Sequence, residues 1–199
     1  MDFQAFLSSR GLNTLIFTDP YAKLCFTALV ASSFQKAIYI DLDTTFAAYL
    51  QSGLIRTSGN IDVFLPSEGR LTSLLKDAIA RIDAGSVVIF DSVNSFYNQF
   101  PAKEKTLGSL NHLLSIMVML LVRRGSEAGV PVLVTSMLRY RKDKGWVQSP
   151  ASKRLLQTKS SVKMKIESSQ PGRLTLTVLQ HDRMPAGSEL ELENSAITA

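Results

Sequence analysis

Nine cations crowd one stretch of this 199-residue chain: Arg139, Arg141, Lys142, Lys144, Lys153, Arg154, Lys159, Lys163 and Lys165. Asp143 is the one acid among them, so residues 139–165 carry +8 while the other 172 residues sum to −3. A charge so localised says more about a partner than the total of +5 or the pI near 9.4. Tyr140 and the chain's single tryptophan, Trp146, stand inside the run. Cations that track phosphates, interleaved with rings that stack on bases, are the requirement for gripping a single strand, each stack being worth roughly 1–3 kcal/mol. If about five of the cations meet phosphates, log affinity falls against log salt with a slope near −3.5. The residues put forward for this role are Arg139, Tyr140, Arg141, Lys142, Lys144, Trp146, Lys153, Arg154 and Lys159. Two plainer uses of the stretch stay open: a solvated lysine-rich loop, or a contact for an acidic protein. Trp146 could equally pack such a loop onto a sheet.

Other chemistry is limited by what the chain lacks. One cysteine, Cys25, excludes an internal disulfide framework and a multi-thiolate metal site. His112 and His181 are too far apart to form a local zinc motif. The longest apolar run, Leu113–Val122, is broken only by Ser115 and is about half the roughly 20 residues of a membrane span. The start, MDFQAFLSSR, has an acidic second residue and no hydrophobic core, unlike a secretory signal. The expectation is a cytoplasmic protein with no membrane contact.

Apolar runs alternating with helical patterns supply the scaffold. Thr14–Phe17, Ala37–Ile40, Ile61–Leu65, Ser86–Phe90 and Pro131–Val134 read as buried strands. Between them, Lys23–Phe34, Phe46–Gln51, Leu71–Ile82 and Leu107–Arg124 read as helices, the last two with apolar residues three and four apart. After Lys159 the period changes to two. Val162, Met164 and Ile166 alternate with polar residues, as do Leu174, Leu176 and Val178, with Ser169–Gly172 as turn material between them. The fold class is α/β: a mostly parallel sheet flanked by helices, with a C-terminal antiparallel hairpin, in a single domain spanning 1–199. Lys163 and Lys165 then fall on the hairpin's solvated face.

The first strand–helix junction is where such a fold binds phosphate. Here it reads Phe17-Thr-Asp-Pro-Tyr-Ala-Lys-Leu-Cys25 and has no glycine. Phosphate cradles need glycine so that the backbone can approach oxygens closely. Pro20 also removes a donor and Asp19 adds a negative charge, leaving Lys23 as a lone attractor of anions.

Three segments resemble the core of the RecA/RadA recombinase superfamily, nearest the archaeal RadA branch and its paralogues. Ile40-Asp-Leu-Asp-Thr-Thr-Phe46 resembles the segment after that family's second strand, and Val88-Ile-Phe-Asp-Ser92 resembles its Walker B strand. Pro185-Ala-Gly-Ser-Glu-Leu190 and Asn194-Ser-Ala-Ile197 resemble its C-terminal part. The similarity runs from about Gly11 to Ile197. Aligning Leu24–Thr27 with the family's Leu-Cys-x-Thr puts Pro20, Tyr21 and Ala22 at the glycine, lysine and Mg²⁺-binding hydroxyl of the Walker A motif. Asp43 falls at the water-positioning carboxylate and Asp91 at the Walker B aspartate.

The resemblance thus implies a RecA-like core with a degenerate nucleotide site, no cofactor and no ATPase activity. Asp91 is then expected to cap the turn after its strand, and Tyr21 to fill part of the emptied pocket. In that family, loops after the fourth and fifth core strands grip single-stranded DNA, which is where the basic run lies. The implied function is assistance to recombinational repair, bound to single-stranded DNA (or RNA) and to a RadA/RecA-like partner or further copies of itself. Two alternatives are a tRNA-contacting scaffold similar to Elongator's RecA-like accessory subunits, and an atypical ATPase using Lys23 and Asp91. Phe3, Phe6 and Leu7 are expected to pack into the core.

Overall fold

The computed structural model describes residues 1–66, 69–100, 106–148 and 160–193. Strands β1 (Leu12–Phe17), β2 (Lys36–Asp41), β3 (Asn60–Phe64), β4 (Ser86–Asp91) and β5 (Val132–Arg141) are separated by helices. These are α2 (Pro20–Ser32), α3 (Thr45–Gln51), α4 (Leu71–Ala80), α5 (Val93–Phe96) and α6 (Leu107–Ala128), and α1 (Phe3–Phe6) precedes β1. Then come β6 (Gly145–Gln148), β7 (Ser160–Gln170), β8 (Arg173–Gln180) and β9 (Glu189–Glu193).

The described strands form one sheet in the order β3-β2-β4-β5-β1-β7-β8-β9, with β6 paired to β5 alone. Every pairing from β3 to β7 along that order is parallel; β7–β8 and β8–β9 are antiparallel. Crossover helices cover both faces, so β1 and β4 are buried at every residue. Alternate side chains feed two cores. Tyr39 of β2 joins Phe3, Phe26 and Phe46 on one face, while Ile38 and Ile40 join Leu75, Leu114 and Phe90 on the other.

The local signals are ordinary. Asp19 caps α2, its carboxylate accepting from Tyr21 N–H at 2.8 Å, and Pro20 takes the first helical position, where no donor is needed. Pro171-Gly172 closes β7 onto β8, with Gly172 at φ 76°, the left-handed position a type II turn gives to glycine. Phe3, Phe6 and Leu7 are buried, Phe3 edge-on to Phe26 at 5.5 Å. α6 is the one described helix long and apolar enough to cross a membrane, and it packs Leu114, Met117 and Leu121 into the second core.

The elements depart from the sequence reading at one place that matters. The fifth strand does not stop at Val134 but runs on to Arg141, and the expected basic loop begins as a β-hairpin.

Candidate functional site

β5 is held by two neighbours only along its first half. β4 pairs with Val132–Val134 and β1 with Val132–Met137, whereas Leu138–Arg141 pair with β6. Burial follows: Val132–Ser136 are inside, and Arg139, Tyr140 and Arg141 are in solvent. The turn that closes β5–β6 spans Lys142–Lys144, with Lys144 N–H bonded to Arg141 C=O at 3.2 Å and Gly145 at φ 67°. Gly145, the first residue of β6, takes the left-handed conformation as the chain leaves that three-residue loop.

The register sorts the chemistry by face. Tyr140 lies directly opposite Trp146, and their rings meet edge to face at 5.5 Å and 70°. They remain 64% and 54% exposed, too open for Trp146 to be packing a loop onto the sheet. Arg139 and Arg141 alternate with Tyr140 and therefore point to the other side of the ribbon. Arg141 pairs with Asp143 at 3.2 Å, while Lys142 and Lys144 stand exposed at the tip. Lys153, Arg154 and Lys159 lie outside the described residues. On β7, Lys165 pairs with Glu167 at 2.7 Å, and burial lowers the pKa of Lys163.

A second centre lies under the first strand–helix junction. Lys23, from the first turn of α2, points inward and is 2% exposed. Its Nζ is 2.5 Å from Asp91 Oδ2 and 3.7 Å from Asp43 Oδ2. Asp91 Oδ2 also accepts from the Tyr39 hydroxyl at 2.6 Å, and Asp91 Oδ1 from Thr135 Oγ1 at 2.6 Å. The Tyr39 oxygen is 3.2 Å from Thr27 Oγ1. Asp91 is therefore a buried, fully bonded anion. It does not cap the following turn; Ser92 does, accepting from Ser95 N–H at 3.2 Å.

Charge at this centre is set by burial and neighbours. For Lys23, burial works to lower the pKa, but Asp91 and Asp43 outweigh it and the value is raised. Burial raises the pKa of Tyr39 well above its usual value, and the Asp91 charge adds to the effect. Burial also lifts Asp41 to about 7, against the opposing hydrogen bond from Ala47 N–H, and the charges of Asp91 and Asp43 push the same way. Asp43 goes down: burial would raise it, but Lys23 and the Thr45 N–H prevail.

The remaining junction residues are spread out. Pro20 starts α2, and Ala22 is fully buried. Tyr21 is 47% exposed and faces a groove lined by Ser168–Leu174. The buried side chain beside Asp43 and Asp91 is that of Lys23. Asp19 lies over the helix start, its Oδ2 accepting from Ser168 Oγ at 2.6 Å. Tyr39, Thr27, Thr135 and Asp41 were not singled out from sequence. A tyrosine in the otherwise apolar run Ala37–Ile40 is a signal, since a buried hydroxyl demands a partner.

A mostly parallel sheet with helices on both faces and antiparallel C-terminal strands defines the fold as RecA-like. Among solved structures it is similar to one described as "Crystal structure of the RadB recombinase", with a TM-score of 0.62 and 16% identity, covering 94% of this chain and 88% of that one. No protein-family model and no curated protein matches the sequence.

Proposed function

We propose that this chain is a non-catalytic RecA-like protein that grips single-stranded DNA with the β5–β6 hairpin and assists a partner recombinase in recombinational repair. The observation that carries the reading is the exposed Tyr140–Trp146 pair on one face of a ribbon bearing Arg139 on the other and Lys142 and Lys144 at its tip. Bases stack on such rings without sequence preference while cations follow the phosphates. The similarity to a recombinase supports placing it in recombination, beside a RadA/RecA-like protein or further copies of itself.

The non-catalytic part rests on the junction. A nucleoside triphosphate does not fit the residues there. An anion at the start of α2 would meet the Asp19 carboxylate, the loop Thr18–Lys23 has no glycine, and the Lys23 ammonium is turned away onto Asp91. The reading is therefore of a degenerate Walker A motif at Pro20, Tyr21 and Ala22. The same ion pair weighs against an ATPase built on Lys23 and Asp91.

Because Trp146 is the chain's single tryptophan, its fluorescence reports the site directly. Titration with oligo-dT should quench it, with binding tighter than to tRNA and lost in the Arg139→Glu, Lys142→Glu double variant. Tighter binding to tRNA would move the reading to an RNA-contacting scaffold. A fluorescent ATP analogue bound at micromolar protein would overturn the non-catalytic assignment.

A further inference from the structure

Three carboxylates converge at the C-terminal edge of the sheet, and the chain supplies their cation itself. One oxygen from each of Asp41, Asp43 and Asp91 lies within 4.8 Å of the others, a spacing that suits a single shared ion. Acidic residues often cluster with no ion among them, but two further facts mark this cluster. Asp41 is wholly buried and, among the described residues, its Oδ1 meets no N–H or O–H donor. The Lys23 ammonium is seated in the cluster, 2.5 Å from Asp91 and 3.7 Å from Asp43.

We propose that Lys23 is a tethered substitute for a divalent cation: its ammonium occupies the place where a metal would neutralise Asp41, Asp43 and Asp91, and so closes that cluster to metal and to metal-bound polyphosphate. The side chain reaches the carboxylates from α2, which packs on this face of the sheet, so helix and strand ends are joined by a charge that neither dissociates nor exchanges. Asp91 needs that charge. Its other donors, Tyr39 and Thr135, are neutral hydroxyls, and a buried carboxylate with only those would be left uncompensated. The inference concerns these residues alone and stands whatever polymer the hairpin binds.

The test is metal binding by charge-deleted variants, read by Mn²⁺ electron paramagnetic resonance and by thermal unfolding with and without Mn²⁺. The native chain should bind no Mn²⁺ in the cluster and show no shift. Lys23→Ala should unfold about 10 °C lower, bind one Mn²⁺ and recover much of the loss. Adding Asp43→Asn to Lys23→Ala should abolish the Mn²⁺ response. Native binding of Mn²⁺ that Asp43→Asn removes would overturn the proposal, as would a folded Lys23→Ala that takes up no Mn²⁺. Should Lys23→Ala not fold in metal-free buffer, Lys23→Met keeps the bulk: folding rescued by Mn²⁺ supports the tethered cation, and failure in Mn²⁺ overturns it.

Discussion

A lysine 2% exposed persists in a core only where a carboxylate meets it and the remaining lone pairs are bonded, and Asp91 meets both conditions. Asp41 is the contrasting case, a buried acid whose pKa burial lifts far above its usual value. Its folded pKa is about 7 against 3.8 for the free side chain. Between those values the folded state holds a proton that the unfolded chain has released, so this group's contribution is full below about pH 4 and is lost as pH rises through 7. Asp43, whose pKa is lowered, works in the opposite sense: its contribution is present above 3.8 and lost on further acidification. Asparagine at 41 can copy the protonated acid, offering an N–H to Asp43 while its carbonyl accepts from Ala47. The urea midpoint of the native chain should therefore fall between about pH 5 and pH 8, and that of Asp41→Asn should fall less. Equal slopes in both proteins would show that Asp41 ionises normally. The sequence names Lys23 and Asp91 together only as the residues of an atypical ATPase; their ion pair and the burial of Asp41 were not legible, because Lys23 and Asp91 stand 68 positions apart and meet only through the sheet order. What the sequence did show was a first strand–helix junction without glycine, since missing glycines need no tertiary structure to be noticed.

At the level of elements, legibility followed burial. Strands buried on both faces declare themselves as apolar runs, and the period-two pattern of Val162–Ile166 and Leu174–Val178 exposed the second hairpin with its Pro171-Gly172 turn. The β5–β6 hairpin escaped because neither strand of its outer part has a buried face to write a pattern. Its one signal is Asp143-Lys144-Gly145, and Gly145 at φ 67° is what the turn depends on. A Cβ there would touch nothing within 4 Å, so Gly145→Val acts through backbone strain alone, at a cost of about 1 kcal/mol or more. That cost falls on a ribbon that, among the described strands, is paired beyond Met137 only with β6. Global unfolding of Gly145→Val should stay within about 2 °C of the native chain while oligo-dT affinity drops several-fold, read by fluorescence anisotropy of a labelled oligonucleotide. Undiminished affinity would mean that the paired rings are not the stacking platform.

Over the whole molecule, charge is as unevenly placed as structure. Residues 139–165 carry +8 on a chain whose other residues sum to −3; of the described cations, Arg139, Arg141, Lys142 and Lys144 project from the sheet on the β5–β6 ribbon, while Lys163 and Lys165 lie on β7. Neutralising phosphates releases counterions, and for single strands each contact contributes about −0.7 to the slope of log affinity against log salt. Rings contribute by stacking, which releases none. The two kinds of residue therefore separate in one experiment. Arg139→Gln with Lys142→Gln should flatten the slope by about 1.4 and weaken binding to every oligonucleotide alike. Trp146→Ala should weaken binding by about 1–3 kcal/mol and leave the slope where it was. If the two variants shifted the slope equally, rings and cations would not be acting on different parts of the strand, and the two-faced ribbon would lose its meaning as a grip. If instead neither variant changed affinity at any salt concentration, the hairpin would be a solvated appendage and the polymer would have to bind elsewhere on the fold.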